Sequence, residues 1–232
     1  MVDFHSHILP GMDDGSKSEK ESIDMLGEYS DRITDVFLTP HFYPDRESPN
    51  EFLKRREKSA EVLRNAIEGK NVPVLHLGAE VGYYEGIHNS EEMEKLVISG
   101  SRLLLVEMPF RDWNLRMADE LIELNRRFGI RPVMAHIDRY NFGKGPNKKA
   151  FQHFLNNRGL VQVNAEAVMS MLSRMKVVSM IRKGEIHFIG SDAHNMLMRK
   201  PNLDIAIDKL IKAKSEDVLK DLDENVNKYI NR

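Results

Sequence analysis

Histidines and carboxylates recur across this chain in short polar runs: His5-Ser6-His7, Asp13-Asp14, Thr39-Pro40-His41, Glu80, Glu107, His136 and Ser191-Asp192-Ala193-His194. Imidazole nitrogen with carboxylate oxygen, and no sulfur, suits manganese, iron or zinc, and such a ligand set does not choose among them. In extended backbone, residues i and i+2 point to one face, so His5 and His7 can turn toward one ion, as can Asp192 and His194. Five histidines and four carboxylates exceed one tetrahedral site. They call for at least two ions and accommodate three, with carboxylates shared between cations that would otherwise repel. A cation-free network of the same groups would bury many charges at a heavy desolvation cost. The chain has no cysteine, so disulfides, thiolate metal sites and a phosphocysteine intermediate are all excluded.

These polar runs need a scaffold that brings them to one place. Short apolar segments at 2–4, 35–39, 73–78, 102–107, 131–135, 160–164 and 186–190 alternate with helix-patterned stretches at 19–30, 50–68, 115–128, 148–156, 167–183 and 203–212. Strand followed by helix, seven times over, is the sequence form of a parallel β/α sheet. The stretch 85–97 has only a short helical pattern, and 215–230 reads as an extra terminal helix. Each polar run falls just past a predicted strand, where β/α barrels collect their active sites. A closed barrel is therefore expected, with an open doubly wound sheet as the alternative. Asn164, at the end of the sixth predicted strand, is given no metal role.

The 232 residues suit one domain spanning 1–232, since a barrel of this kind takes roughly 200 to 250 residues. Hydrophobic residues at 41% and charged residues at 30% are ordinary for a globular chain. A net charge of -2 gives no general field for nucleic acid or an anionic membrane. No apolar stretch is long enough for a bilayer span, and the opening residues lack the basic and apolar parts of a signal peptide, so a cytoplasmic location is expected.

The motifs resemble those of the polymerase and histidinol phosphatase (PHP) superfamily, and within it the bacterial branch of capsule-associated tyrosine phosphatases. The resemblance covers almost the whole chain. It runs through Asp3-Phe4-His5-Ser6-His7-Ile8-Leu9-Pro10-Gly11-Met12-Asp13-Asp14-Gly15, then Thr39-Pro40-His41, Glu80, Val106-Glu107-Met108-Pro109-Phe110, Ala135-His136 and Ser191-Asp192-Ala193-His194-Asn195. It implies a distorted (β/α)7 barrel with His5, His7, Asp14, His41, Glu80, Glu107, His136, Asp192 and His194 around a three-ion cluster, usually of manganese. It also implies a phosphate-binding role for Arg139 and Arg199, which follow His136 by three positions and His194 by five. A guanidinium fork suits phosphate oxygens. The chain departs from the branch pattern at Ile137-Asp138, at Phe42 where a second histidine is usual, and at Gly82 where an arginine is usual. These changes are expected to alter the rim rather than the ligands.

The function implied is hydrolysis of phosphotyrosine in a protein, namely a tyrosine kinase of capsule or exopolysaccharide assembly. The expected nucleophile is hydroxide held by the ions, because no cysteine and no serine beside a recognisable base is present. Asp138 is a candidate proton donor. Phe42, Tyr43, Phe110, Trp113, Tyr140 and Phe142 lie where they could wall a phosphotyrosine ring. A small-molecule phosphatase of the histidinol phosphate type and a noncatalytic PHP binding domain are the alternatives. His76, His88, His153 and His187 are expected to pack or hydrogen-bond away from the chemistry.

Overall fold

The computed structural model describes residues 1–230. Its strands are β1 (Val2–Ser6), β2 (Asp35–Leu38), β3 (His41–Phe42), β4 (Val74–Leu77), β5 (Glu80–Gly82), β6 (Leu103–Glu107), β7 (Arg131–Met134), β8 (Leu160–Asn164) and β9 (Phe188–Gly190). Its helices are α1 (Glu19–Leu26), α2 (Pro49–Ala66), α3 (Leu115–Phe128), α4 (Gly145–Asn156), α5 (Met171–Arg182), α6 (Leu203–Lys212) and α7 (Asp217–Tyr229). All named strand pairs are parallel, in the orders β1-β2-β4 and β3-β5-β6-β7-β8-β9.

The expected second and third strands are each bent into two pieces. Pro40 has no N–H to give a ladder, so β2 stops at Leu38 and pairing resumes in β3. At the next stave the chain passes so close to Ile98 that a Cβ on Gly78 would sit 2.9 Å from its side chain, and the Gly78 carbonyl accepts instead from the buried Arg56 guanidinium at 2.7 Å. With β2/β3 and β4/β5 counted as single bent staves, the sheet has the seven staves expected.

The sheet curls until β9 lies beside β1. At that seam Ser6 bridges Ala193, the Asp192 N–H donates to the His5 carbonyl at 2.7 Å, and the His7 N–H donates to the Ala193 carbonyl at 2.8 Å. These bonds join the first and last staves and rule out the open doubly wound sheet. Phe4, Phe37, Leu103, Leu105, Val133, Leu160 and Phe188, from strands around the ring, fill the interior, and Val226 and Ile230 close its lower end. The β1–β2 register shifts between Asp3 and Ser6. This irregularity lets β1 give Phe4 to the apolar interior and the next residue, His5, to the polar upper end.

Helices α3 and α6 span the residues expected of them, α4 begins three residues earlier than expected, and the others are shorter. The stretch 167–183 is broken because Ser170 accepts the Ser173 N–H and starts α5 afresh after a 3-10 turn at Ala165–Val168. The stretch 85–97 forms two 3-10 turns, Ile87–Asn89 and Glu91–Lys95, so the third unit has no α-helix. Among the described residues no helix is long and apolar enough to cross a membrane.

Candidate metal centre

Strand register sets the first geometry of the site. His41 of β3 pairs beside Glu80 of β5, and Gly82, two residues along the same face, pairs beside Glu107 of β6. Glu80 is buried at the middle. Its Oε2 lies 3.2 Å from His5 Nε2, 3.3 Å from His7 Nε2 and 3.0 Å from His41 Nδ1, and its Oε1 lies 2.8 Å from His136 Nε2. On one flank, Asp14 Oδ1 is 3.5 Å from His41 Nε2 and 3.4 Å from His194 Nε2. On the other, Glu107 Oε1 is 3.7 Å from His136 Nε2. Asp192 Oδ1 is 3.7 Å from His5 and 3.5 Å from both His7 and His194. All nine expected donors thus form one continuous cluster at the carboxyl ends of the strands.

Both phosphate-binding candidates reach this cluster as well. Arg139 pairs with Asp192 Oδ2, and Arg199 meets the same oxygen at 2.8 Å. The segments that carry them hold two residues in the left-handed region, His136 at φ 29° and Asp192 at φ 53°. Non-glycine residues adopt such backbone only where their surroundings enforce it. Here the enforcement is visible, since the His136 N–H is held by Gln162 Oε1 at 2.5 Å and the Asp192 N–H by the seam with β1.

Several side chains to which the sequence reading gave no part in positioning the donors orient them. Asp13 accepts from the His41 and Gly15 N–H groups, each at 2.8 Å, and lies 2.7 Å from His7 Nδ1. Gln162 Oε1 also lies 3.4 Å from His5 Nδ1, and Asn164 Nδ2 donates to Asp192 Oδ2 at 2.9 Å. Tyr43 donates its hydroxyl to Glu107 at 3.0 Å. Asp3 accepts the Ser191 N–H at 2.7 Å and the Tyr29 hydroxyl at 2.7 Å, tying the two polar runs together. Gln162 and Asn164 had a readable signal, being polar residues two apart in an otherwise apolar strand.

The donors fit a cluster of cations. His5 Nε2 and His7 Nε2 face each other at 3.0 Å, and at most one proton can lie between them. Glu80 Oε2, with three imidazole nitrogens around it, is buried with no aligned hydrogen bond, and so are His136 Nδ1 and His194 Nε2. Such orphaned atoms are costly unless something else partners them. Burial resists charge on His7, yet Asp13 and Glu80 overcome it and raise its pKa to about 10. Burial likewise resists ionisation of Glu80, but His5, His41 and His136 hold it well below the usual carboxylate range. Asp192 behaves the same way through His5 and His7, and Asp14 is held low by its hydrogen bond to His194. The site is therefore a set of ionised carboxylates that attract positive charge to His7 and His41, while burial keeps His194 toward its neutral form. Three groups of these side chains have atoms close enough to share an ion: His7, Asp14, His41 and His194; His5, His7 and Glu80; and His41, Glu80 and Glu107.

Of the departures from the branch pattern, one lies in the core and one makes room for Tyr43 beside Glu107. Phe42 is wholly buried and packs edge-on against Phe52. A Cβ on Gly82 would lie 2.6 Å from the Tyr43 ring, so glycine there lets Tyr43 lie over the strand. Asp138 is spent on the Asn164 N–H at 2.8 Å, and burial raises its pKa. The remaining histidines have local partners: His76 meets Asp35 at 2.7 Å, His153 meets Asp119 at 2.7 Å, His88 lies 3.8 Å from Glu120, and His187 accepts the Val161 N–H at 3.2 Å.

A curled parallel β/α barrel carrying histidines and carboxylates at the carboxyl ends of its strands is the architecture that the resemblance to the PHP superfamily implied. The chain belongs to the CpsB/CapC family of capsular polysaccharide synthesis, whose model matches residues 1–231. It is 33% identical over 207 residues to a putative tyrosine-protein phosphatase CapC of Staphylococcus aureus, covering 86% of this chain and 79% of that one. It is 27% identical over 232 residues to the tyrosine-protein phosphatase CpsB of Streptococcus pneumoniae, covering 91% and 90%. In fold it matches a solved chain from work on YwqE of Bacillus subtilis and CpsB of Streptococcus pneumoniae, described as unique metal-dependent tyrosine phosphatases. The TM-score there is 0.82 at 23% identity, over 98% of this chain and 93% of that one. A histidinol phosphate phosphatase of Lactococcus lactis, solved with zinc, L-histidinol and phosphate, shares the fold more distantly, with a TM-score of 0.55 at 13% identity over 94% and 93% of the two chains.

Proposed function

We propose that this chain is a metal-dependent protein-tyrosine phosphatase that works as a single domain in the cytoplasm. Its substrate is the phosphotyrosine of a kinase in capsule or exopolysaccharide assembly. The observation that carries this reading is the convergence of nine histidine and carboxylate donors on one point, with Arg139 and Arg199 beside it. Membership of a family whose relatives are named tyrosine-protein phosphatases supplies the substrate class.

His5, His7, Asp14, His41, Glu80, Glu107, His136, Asp192 and His194 hold two or three divalent ions, with manganese as the working metal. Such ions, when bound, lower the pKa of water toward neutrality and offset charge on phosphate oxygens. The protein's own part is to place the substrate and balance its charge. Arg139 and Arg199 share one Asp192 oxygen, and their remaining guanidinium donors would take phosphate oxygens, whose charge grows in transfer. Asp13, Gln162 and Asn164 fix the rings and carboxylates that the ions bind. No side chain need protonate the leaving group fully, because tyrosine has a free pKa of about 10, far below that of an alkyl alcohol.

The test is matched kinetics on a phosphotyrosyl peptide and on histidinol phosphate with manganese-loaded protein. Preference for the peptide supports the proposal. Preference for histidinol phosphate replaces it with a metabolic phosphatase, and a loaded protein inactive on both leaves a noncatalytic domain.

A further inference from the structure

The aromatic side chains Phe42, Tyr43, Phe110, Trp113, Tyr140 and Phe142 lie on segments around the centre, and their environments differ sharply. Phe42, Trp113, Tyr140 and Phe142 are all 8% exposed or less and belong to the core. Tyr43 is engaged on several sides. Its hydroxyl donates to Glu107, the Arg46 guanidinium lies 4.4 Å from its ring centroid, and the ring packs against His41 and over Gly82. Phe110, by contrast, is 68% exposed, although it follows the candidate donor Glu107 by only three residues.

Phe110 is also held in place. Its ring is nearly parallel to His136, with 7° between the planes and 6.4 Å between centroids, and it leans on Tyr140 at 5.2 Å. Tyr140 is backed in turn by Trp113 at 4.9 Å and donates its hydroxyl to the Met108 carbonyl at 2.8 Å. Trp113 closes the loop by donating its indole N–H to Pro109 and its backbone N–H to Asn147. An exposed phenyl ring gives up the free energy its burial would yield, and single exposed apolar residues are ordinary on loops. A ring braced from behind by two aromatic layers, parallel to a candidate metal-binding imidazole and next to the segment carrying Arg139, has a different character. It is a rigid apolar face beside the place where phosphate would be held.

We propose that Phe110 is the platform for the aryl ring of the substrate and so the residue that selects aryl over alkyl phosphoesters. This rests on the phosphatase reading above. Offset stacking against a preformed ring adds affinity without ordering a loose side chain, and it rewards a planar leaving group that a serine or glycerol phosphate lacks. Phe110 then acts through substrate binding, with no part in holding the ions.

The experiment compares wild type, Phe110→Ala, Phe110→Leu and Phe110→Trp in the manganese-loaded protein. Inhibition constants are measured for phenylphosphonate and methylphosphonate, and KM and kcat for a phosphotyrosyl peptide. Phe110→Ala is expected to weaken phenylphosphonate by about tenfold with methylphosphonate and bound metal unchanged, and to raise KM more than it lowers kcat. Phe110→Leu should behave like Phe110→Ala for the phenyl preference, and Phe110→Trp should restore it. Equal weakening of both phosphonates, or no change in either, overturns the proposal. The phosphonate ratio is read without turnover, so failure of the phosphatase reading shows itself separately, as a wild-type protein that cleaves no phosphotyrosyl peptide.

Discussion

His7 is gripped from both ends, by Asp13 at Nδ1 and by Glu80 at Nε2. Asp13 therefore sets the direction in which His7 presents its Nε2, and such outer partners typically govern metal affinity by about 10- to 100-fold. Asp13→Ala is expected to lower manganese affinity by that order while the fold persists, read by elemental analysis after dialysis against graded manganese. Unchanged occupancy would show that His7 needs no such support. Arg139→Ala and Arg199→Ala should do the converse, keeping the ions and reducing turnover, because each would remove a proposed phosphate contact and leave the candidate donors in place. Loss of metal in either variant would make that arginine a support for Asp192. His-x-His and Asp-x-His are local patterns, so the chain itself pointed to His5, His7, Asp192 and His194 as candidate donors. The residues alone did not separate Asp13 from Asp14; the family resemblance named Asp14, which stands beside His41 and His194 with Asp13 behind His7. That choice is made by the Gly15 turn and by the His41 N–H, which comes from another stave.

At the scale of elements, the upper ends of the staves matter more than their middles. Positions of the strands were legible because apolar runs ending in polar motifs are a strong periodic signal. The break at Thr39-Pro40 had a local cause in Pro40, but the one at Gly78-Ala79 was not legible, because it depends on Ile98 and Arg56, which come from other parts of the chain. The β9–β1 seam was equally invisible, being a contact between the two ends of the sheet. Gly190 is its tightest point, where an added Cβ would stand 2.7 Å from the His5 backbone nitrogen. That neighbour is backbone and yields little. Gly190→Ala is expected to cost about 1 to 3 kcal/mol of stability and to weaken metal binding through displacement of His5, measured by urea unfolding and metal content together. A variant as stable as wild type, with full metal content, would show that the seam is looser than its geometry implies.

Across the whole molecule the two ends of the barrel carry opposite chemistry. Ionised carboxylates gather at the upper end, while Arg131, Arg158, Lys183 and Lys228 line a cavity of 640 Å³ at the lower end, with His187 among them. Burial, and then the Lys228 charge, lower the His187 pKa from 6.5 to about 4. The folded state thus keeps His187 neutral where the unfolded chain would take a proton, so its contribution is intact above pH 6.5 and is lost as pH falls from 6.5 toward 4. The loss is at most about 3 kcal/mol. His187→Asn can still accept the Val161 N–H, and at matched metal loading it should lose less stability than wild type between pH 7 and pH 5. Equal losses in urea unfolding would remove His187 from the account.

The central claim is that phosphotyrosine cleavage at this end of the barrel depends on ions held by the nine donors. The most direct measurement is phosphate release from a phosphotyrosyl peptide by chelator-treated protein as manganese is returned in measured amounts. Turnover should be absent without metal and return in step with the binding of two to three ions per chain. Full turnover by the metal-free protein would contradict it.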